Sequence, residues 1–517
     1  MKPSSKLVAA AVAAVLGTSA HALAPTAPIT YTFYEGGGAA DENAVYSALY
    51  NLLSPSTVDV YSDAGAKGSS SYLVVTGTTV AGAGGITQAP FNTATNIMFI
   101  YKFNKGALTN GILPLAYATS ASQAKLAFPT VASIAAATPS GNSGTPTTSN
   151  PSYSYTAANT NSESTDFGLS DVETGLFNYA YNLNNTPALT ASQLSAIAGE
   201  GVYDDVLALA VTNTVYNGTS GFPHPKTSFS KPEIVGILTG TTQNWNQLYA
   251  DDGTIMPNAP LWFLDRGSGA AVKAVGNQFF LNYPGGANYT GASLTPHSVL
   301  GSNANGGYTD TILNLSGGYQ DVNEASSSAI VTDLQNAQAA GDYAIGFISA
   351  ETAPALNQVG GVNVYSFAKI DGVGIDSGIS GNNINGTTAS TYNNVVTGAY
   401  EYVSQVSFNY RAGFLTASSP GTITLPPAGS APNVVLAYAA RNNLQAETLA
   451  GANSGKAFPL AVTGVLIDPV LAPAQDAGVI LDSRNRVTAA PLQPSFDATD
   501  VSASGGPGPI TYGSDPL

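Results

Sequence analysis

The stretch Leu264-Asp265-Arg266-Gly267-Ser268-Gly269-Ala270-Ala271-Val272, directly after the apolar residues 261–263, decides the fold. Its two glycines let the backbone approach a ligand closely, and the serine between them supplies a hydroxyl group. A helix predicted from Ala270 to Phe280 would direct its free N–H groups at bound negative charge. The stretch therefore predicts a strand, an anion-binding turn and a helix.

A second helix is predicted upstream of this strand, from Phe229 to Gly240. Ser230 and Glu233 have the spacing of a capping box, which satisfies the free N–H groups at a helix start. Gly240 is typical of a helix end, and the aromatic loop Asn244-Trp245 follows. The alternative for Ser228 to Lys231, a Ser-x-x-Lys catalytic pattern, is less favoured because the capping box explains the same residues.

These two segments resemble the phosphate-binding proteins of bacterial ABC importers, in which a helix, a Gly and a Trp precede a strand and a Gly-Ser-Gly-Thr loop. Three further segments occur in the order that the family requires. They are Gly36-Gly37-Gly38-Ala39-Ala40-Asp41, Asp166-Phe167-Gly168-Leu169-Ser170-Asp171 and Ala344-Ile345-Gly346-Phe347-Ile348. The resemblance implies a two-lobed α/β fold of the type II periplasmic binding protein class, with hinge crossovers and an oxyanion held between the lobes.

The resemblance also implies which residues contact the ligand. In the first lobe these are Gly38, Ala39, Ala40, Asp41 and Asp171, and in the second lobe Arg266, Gly267, Ser268, Gly269 and Ala270. Ser69 and Ser70, in a second small-residue turn, could offer hydroxyls to the same ligand. A plain surface turn is an equally good interpretation of that segment.

This chain differs from the family pattern at positions that are expected to contact the ligand. The family's first loop ends in Thr-Phe, where this chain has Ala40-Asp41. Its ligand loop has Arg, Asp and Thr where this chain has Leu264, Arg266 and Ala270. Two hydroxyl groups are lost, and Asp41 adds a carboxylate that would repel an anion, or favour a ligand with a hydrogen-bond donor, if it faced the cleft. As a helix N-cap, Asp41 would be harmless to anion binding.

The resemblance implies a specific role in ligand binding for two charged residues, Asp171 and Arg266. The family's equivalent of Asp171 accepts a hydrogen bond from a protonated phosphate oxygen, which separates phosphate from sulfate. The alternative is that Asp171 caps a helix beginning near Val172. Arg266 would pair with the oxyanion through a charge-assisted hydrogen bond, and its alternative is an exposed pair with Asp265.

The N-terminus and the composition restrict the compartment and the partners. Lys2 and Lys6 before the apolar run Leu7 to Leu16, with Ala20-His21-Ala22 as a cleavage pattern, predict a signal peptide at residues 1–22. This apolar run is too short to cross a bilayer, which needs about 20 residues. There is no Cys, which excludes disulfides and a lipidated cysteine, and a net charge of −16 argues against nucleic acid as a partner. We expect a periplasmic or secreted protein without membrane insertion.

The pattern of apolar residues predicts the order of the lobes. Lobe 1 is predicted at residues 23–211 with an insertion at about 72–165, lobe 2 at 212–402, a return to lobe 1 at 403–490 and a loose tail at 491–517. Val206 to Val215 is predicted as the first crossover strand and Tyr400 to Tyr410 as the second, with a helix at Val434 to Ala446. Within the insertion, strands are predicted at 96–103 and 111–117 and a helix at 121–137.

The inventory of reactive side chains favours binding over catalysis. His224 and His297 lie beside prolines, which predicts exposed loops, and no metal-ligand or nucleophile motif is present, so we expect no enzyme, cofactor or metal. Two functions stay open. The first is a solute-binding protein that captures phosphate or a related small oxyanion and delivers it to an ABC permease. The second is a secreted or surface-associated protein that uses the same fold for adhesion or assembly, with a degenerate anion site.

Overall fold

The structure is a computed structural model, and it describes only part of the chain. The described residues are 27–39, 41–63, 71–104, 106–117, 124–142, 144–148, 150–157, 159–172, 174–179, 181–183, 188–281, 283, 294–297, 319–324, 326–350, 352, 354, 358–359, 362–375, 394, 399–419, 422–449 and 465–466. The predicted signal peptide, the tail from residue 491, Ala40, Ser69 and Ser70 lie outside them.

The elements alternate between strands and helices along the chain. The strands are β1 Tyr31–Gly36, β2 Asp59–Ser62, β3 Tyr72–Thr78, β4 Asn96–Lys102, β5 Leu126–Pro129, β6 Thr138–Pro139, β7 Tyr153–Ser154, β8 Thr160–Glu163, β9 Phe167–Ser170, β10 Ile197–Thr212, β11 Ser228–Phe229, β12 Leu261–Arg266, β13 Tyr319–Glu324, β14 Ala344–Ser349, β15 Gln358–Val359, β16 Val362–Asn363, β17 Tyr365–Ile370, β18 Val403–Arg411, β19 Ala417–Ser419, β20 Thr422–Ile423 and β21 Val465–Leu466. The helices are α1 Glu42–Tyr50, α2 Val131–Ala135, α3 Ala191–Ser195, α4 Asn213–Tyr216, α5 Lys231–Leu238, α6 Ala271–Leu281, α7 Ser327–Ala340 and α8 Pro432–Leu449. A π-helical turn at Leu108–Ile112 follows β4.

Two long strands join the two halves of the main sheet, whose order is β13-β12-β14-β10-β18-β9-β1-β4-β3-β2-β7-β6, with β11, β17 and β21 paired beside this path. The first part of β10 pairs antiparallel with β18, from Ile197 opposite Arg411 to Val206 opposite Val403. From Leu207 onward, β10 pairs with β14 and β17 instead. The chain thus crosses between the halves on adjacent antiparallel strands, in the manner expected of hinge crossovers.

The first half of the sheet contains strands that the sequence assigned to an insertion. β4 runs parallel to β1 along its whole length, and β3 is antiparallel to β4. These two strands are therefore part of the main sheet and do not decorate it. In the second half, β12 lies parallel between β13 and β14. The carboxyl ends of parallel strands meet at one edge of a sheet, so the loops after β1 and β4 are neighbours, as are those after β12 and β13.

Apolar packing connects the two halves. The largest core cluster joins Leu108, Ile112 and Leu176 to the residues around β12 and β14. A second cluster packs α1 and α8 against β1, β4 and β9. Since the first cluster is continuous across the halves, the lobes are in direct contact in this structure.

The local predictions are confirmed where the sequence has a strong cap or a long apolar run. Ser230 and Glu233 form the predicted capping box of α5, and Gly240 follows the helix with a φ of 68°. The strand predicted at 111–117 is wrong, since the π-helical turn and a 3-10 turn at Leu113–Leu115 occupy it. The single helix predicted at 121–137 is also wrong, because the described part of it contains β5 and the short α2. No helix among the described residues is long and apolar enough to cross a membrane.

Candidate functional site

The loop after β1 is shaped by close backbone packing. A β-carbon at Gly37 would lie 2.9 Å from the carbonyl oxygen of Leu169, and one at Gly38 would lie 3.4 Å from Oδ2 of Asp171. Only glycine therefore fits at Gly37 without moving β9. Ala39 is partly buried and packs against the core of the first lobe. The loop brings the start of α1 next to the end of β9.

Asp41 stands at the N-cap position of α1, yet its side chain makes no capping hydrogen bond. Its Oδ2 accepts the N–H of Gly38 at 3.1 Å. The Tyr101 hydroxyl donates to the Gly38 carbonyl at 3.0 Å and lies 3.4 Å from the same Oδ2. Asp41 is fully buried, and these partners belong to the first lobe. The harmless N-cap interpretation does not describe this geometry.

Asp171 meets Asp41 at the end of β9. A β-carbon at Gly38 would lie 2.9 Å from Oδ2 of Asp41 and 3.4 Å from Oδ2 of Asp171, so the two carboxyl groups lie side by side. Burial raises the pKa of Asp171, while the hydrogen bond with Asp41 and the charge of Arg266 act in the opposite direction. Among the described residues, Oδ1 of Asp171 accepts no hydrogen bond. Asp171 caps no helix there, so its alternative interpretation has no support in this geometry.

Arg266 brings the second lobe to the same place. It ends β12, is 6% exposed, and its Nη1 donates to the Ser327 hydroxyl at 2.8 Å. Burial lowers the pKa of Arg266 to about 10, against the opposing effect of Asp171, Asp265 and Glu324. The guanidinium therefore stays charged at neutral pH. Burial excludes the interpretation of Arg266 as an exposed partner of Asp265.

Three N–H groups and one hydroxyl of the predicted anion loop donate to carbonyl groups of the protein itself. The N–H of Gly267 donates to the Glu324 carbonyl at 2.8 Å, and that of Ala270 to the Gly267 carbonyl at 3.2 Å. The N–H of Gly269 donates to the Asn182 carbonyl at 2.8 Å. The Ser268 hydroxyl donates to the Tyr181 carbonyl at 3.2 Å. An anion at this loop would have to replace these carbonyl oxygens.

Residues 181–183, which we call the interlobe segment, supply two of those oxygens. Asn182 is 1% exposed and is fixed on both sides. Its Nδ2 donates to the Leu176 carbonyl at 2.9 Å, and its Oδ1 accepts from Nδ2 of Asn277 on α6 at 3.0 Å. The interlobe segment therefore holds the anion loop against the first lobe.

The residues after β4 make the second contact between the lobes, and the sequence analysis missed them. The N–H of Leu108 donates to the Gly269 carbonyl at 3.4 Å. Gly106, with a φ of 76°, lies so close that a β-carbon there would be 2.8 Å from the Gly269 oxygen. Asn110 on the π-helical turn is fully buried, and its amide atoms have no hydrogen-bond partner among the described residues. In the sequence, this loop is indicated by a glycine that follows shortly after the predicted strand 96–103.

A buried ion pair supports the base of the anion loop. Lys273 on α6 pairs with Asp265, and although burial acts against it, the charges of Asp265 and Asp321 raise the pKa of Lys273. His297 lies 3.7 Å from Asp321 and is only partly exposed, so its prediction as an exposed loop residue is wrong. The described residues contain no group of three or more side chains that could hold a metal ion.

Of the predicted site residues, the structure brings together Gly38, Asp41, Asp171 and Arg266, and it places Gly267 to Ala270 against the interlobe segment. Ala39 packs into the first-lobe core instead. Ala40, Ser69 and Ser70 lie outside the described residues. We name the group of Asp41, Asp171 and Arg266 the interlobe charge cluster.

Comparison with known proteins gives a match over the centre of the chain. Residues 189–416 match the model of the PBP superfamily domain. A comparison with curated proteins gave no significant match.

Solved structures similar to the chain include phosphate-binding proteins from three bacteria. A putative phosphate ABC transporter substrate-binding protein with bound phosphate from Clostridium perfringens is 15% identical, covering 49% of this chain and 76% of that one, with a TM-score of 0.26. PstS from Borrelia burgdorferi is 10% identical, covering 74% and 87%, with a TM-score of 0.29. A phosphate binding protein from Stenotrophomonas maltophilia is 14% identical, covering 55% and 80%, with a TM-score of 0.28.

Both crossover strands, β10 and β18, lie within residues 189–416, which match the PBP superfamily domain. The described residues form a two-lobed α/β fold like that of periplasmic binding proteins. The match supports, over this part of the chain, the resemblance inferred from the motifs.

Proposed function

We propose that this chain is an extracytoplasmic solute-binding protein that captures phosphate or a related small oxyanion between its lobes. The observation that carries the proposal is the buried approach of Asp171 and Arg266, which come from strand ends of opposite lobes. A guanidinium between two lobes offers a charge-assisted hydrogen bond to an oxyanion, and a neighbouring carboxylate selects an oxyanion that carries hydrogen. We further propose a periplasmic or secreted location and delivery of the solute to an ABC permease.

Binding would proceed by exchange of protein oxygens for ligand oxygens. Ser268 and Gly269 now donate to the carbonyls of Tyr181 and Asn182, and Gly38 donates to Asp41. An entering oxyanion can take over these donors if the lobes open at β10 and β18 and close again. The contacts that hold the lobes together without a solute therefore reduce the affinity for a solute.

One observation favours the second candidate, a secreted protein that uses the fold for adhesion or assembly. The N–H groups of Gly267, Gly269 and Ala270 and the Ser268 hydroxyl donate to carbonyl groups within the protein, and the loop lacks the family's hydroxyl at Ala270. A fold that keeps its lobes closed on its own carbonyl groups has no need of a solute. In that case the anion site is degenerate.

A thermal-shift screen followed by calorimetry separates the two candidates. Phosphate, arsenate, sulfate and small carboxylates are added to the full chain, and a binder at a hundredfold excess over its Kd stabilises the fold by about 2.7 kcal/mol. We expect phosphate or arsenate to give this stabilisation and Asp171→Asn to lose the preference over sulfate. Lys231→Met, which alters an exposed pair with Glu401, is the matched control and should bind like the wild type. Absence of any stabilisation by these anions would reject the first candidate in favour of the second.

A further inference from the structure

Tyrosine rings from both lobes meet beside the anion loop. The rings of Tyr181 and Tyr283 have centroids 5.4 Å apart and lie nearly perpendicular, at 80°. The Tyr179 ring packs on Tyr283 in the same edge-to-face manner, at 6.3 Å and 75°. Tyr179 and Tyr181 follow β9 of the first lobe, whereas Tyr283 follows α6 of the second lobe. All three residues are partly exposed, and a small inorganic anion would use none of their aromatic surface.

The backbone of Tyr181 connects these rings to the anion loop. Its carbonyl accepts the Ser268 hydroxyl at 3.2 Å, and its N–H donates to the Tyr283 hydroxyl at 3.5 Å. The next carbonyl, that of Asn182, accepts the Gly269 N–H at 2.8 Å. The donors that would hold an oxyanion and the ring of Tyr283 are therefore contacted by the same short piece of chain.

Tyr283 belongs to the part of the site that stays in place when the interlobe segment leaves. Its N–H donates to the Asn277 carbonyl of α6 at 3.1 Å, and α6 begins at Ala271, directly after the anion loop. Opening of the lobes at β10 and β18 would withdraw Tyr181 with the first lobe and uncover the side of Tyr283 that it contacts. A solute that takes over the Ser268 hydroxyl would thus meet an uncovered tyrosine ring.

We propose that the solute of this site is an oxyanion that carries a ring, with one anionic oxygen in the place of the Tyr181 carbonyl and the ring against Tyr283 in the place of the Tyr181 side chain. The inference rests on the proposed function and names the class of solute, an organic phosphate or a related organic oxyanion. The interlobe segment is then an internal substitute for the solute, since it occupies both the polar and the aromatic part of the site.

The covalent structure of such a solute matches that of a tyrosine residue. In tyrosine, the carbonyl carbon, Cα and Cβ separate the carbonyl oxygen from the ring. In benzyl phosphate, the phosphorus atom, the ester oxygen and the methylene carbon separate a phosphoryl oxygen from the ring. Because the same number of bonds joins the two groups, a ring held on Tyr283 leaves the phosphoryl oxygen within reach of Ser268. Inorganic phosphate has the oxygens alone.

Aromatic contact gives the organic solute its advantage over inorganic phosphate. Edge-to-face rings attract each other beyond the burial of their surface, because the positive edge of one ring meets the negative face of the other. Covering the partly exposed ring of Tyr283 adds a hydrophobic contribution. Together these effects correspond to about tenfold in affinity.

Calorimetry on the full chain with inorganic phosphate, methyl phosphate and benzyl phosphate tests the inference. The two esters carry the same charge and differ in the ring, so we expect benzyl phosphate to bind about tenfold more tightly than methyl phosphate. Tyr283→Ala should reduce this ratio to about one, because the ring is lost. Tyr283→Phe should keep the ratio, because it removes only the hydroxyl group. Benzyl alcohol, which has the ring without the anion, should not displace benzyl phosphate.

Tyr249→Ala is the matched control, since Tyr249 is a tyrosine of the second lobe that is 56% exposed and whose backbone contacts Lys226 and Ile255. It should keep the ratio of the wild type. Equal affinities of the wild type for methyl and benzyl phosphate, or an unchanged ratio in Tyr283→Ala, would overturn the inference while leaving the proposed function intact. If the wild type binds none of the phosphates, the proposed function itself fails, and the inference with it. Circular dichroism of each variant establishes that it is folded before binding is measured.

Discussion

On both sides of the contact between the lobes, loops that follow strand ends carry polar groups. The two sides differ in whether these groups have hydrogen-bond partners. On the first-lobe side, the loop after β1 and the end of β9 present carboxyl groups, and one oxygen of Asp171 accepts no hydrogen bond among the described residues. On the second-lobe side, the donors of Gly267, Ser268 and Gly269 all have carbonyl partners. One acceptor on the first-lobe side thus receives no hydrogen bond from the described residues, while these three donors of the second-lobe side each have an acceptor.

Under the proposed function, this difference would keep the lobes together without a ligand. A bound oxyanion would accept hydrogen bonds from both lobes at once, whereas in this structure the interlobe segment accepts those of the Ser268 hydroxyl and the Gly269 N–H. Asp41 does the same for the N–H of Gly38 in the first lobe. Buried N–H groups must be paired, so the protein's own oxygens replace those of a ligand. The predictions below alter one side or the other.

Removal of Arg266 should have the largest effect, because this residue links the two sides. Arg266→Met leaves Asp171 and its neighbouring carboxylates without their buried counter-charge, and loss of one partner from such a group costs about 3–5 kcal/mol. Denaturant unfolding measures this loss. Lys231→Met removes a lysine that is 41% exposed from its pair with Glu401 and should cost less than about 1 kcal/mol. A cost for Arg266→Met as small as that of the control would mean that the cleft is open and solvated in solution.

Asn182→Ala tests the donor side and should have the next largest effect. The change removes the side-chain bonds to the Leu176 carbonyl and to Asn277, and a buried polar group left without its partner costs about 1–3 kcal/mol. Because the interlobe segment is loosened, Ser268 and Gly269 become available, and phosphate should bind more tightly. Unfolding and calorimetry give the two quantities. Asn246→Ala, which removes an exposed 3.4 Å contact with Asn258, is the control and should change neither. Tighter binding in the control as well would remove the role assigned to the interlobe segment.

The sequence predicts those parts of the molecule that depend on local patterns. The capping residues Ser230 and Glu233 determine α5, and the apolar run that ends at Arg266 determines β12. The order of the motifs places Asp41, Asp171 and Arg266 near one another, and the structure brings them together.

The rest depends on contacts between distant segments. The apolar composition of residues 111–117 is compatible with a strand and with a helical turn. Close packing of Gly111 against β9 accompanies the helical turn in the structure. Asp41 occupies the predicted N-cap position, but the N–H of Gly38 competes successfully for its carboxylate. The interlobe segment has no periodic pattern, and only the folded chain shows that its carbonyl groups meet the anion loop.

Glu35→Gln should give the smallest effect, and it tests a buried carboxyl group of the first lobe that is held by N–H groups, whereas Asp265 of the second lobe is paired with Lys273. Glu35 precedes Gly36 and is 1% exposed, whereas Asp265 precedes Arg266 and is paired with Lys273. Burial raises the pKa of Glu35 well above its usual range, Asp166 raises it further, and the N–H groups of Phe167 and Asp166 oppose the shift.

The sign of the pH dependence follows from this raised pKa. The folded state binds the proton of Glu35 more tightly than the unfolded state, so the stability that this proton contributes is present in acid. It is lost as pH rises from the unfolded pKa of about 4.3 toward the higher folded pKa. The free energy of unfolding of the wild type should therefore fall, relative to that of Glu35→Gln, as pH rises from about 4.5 to 7. Unfolding at a series of pH values measures the difference, and parallel curves for the two proteins would mean that water reaches Glu35 and that the first lobe is less tightly closed than its packing indicates.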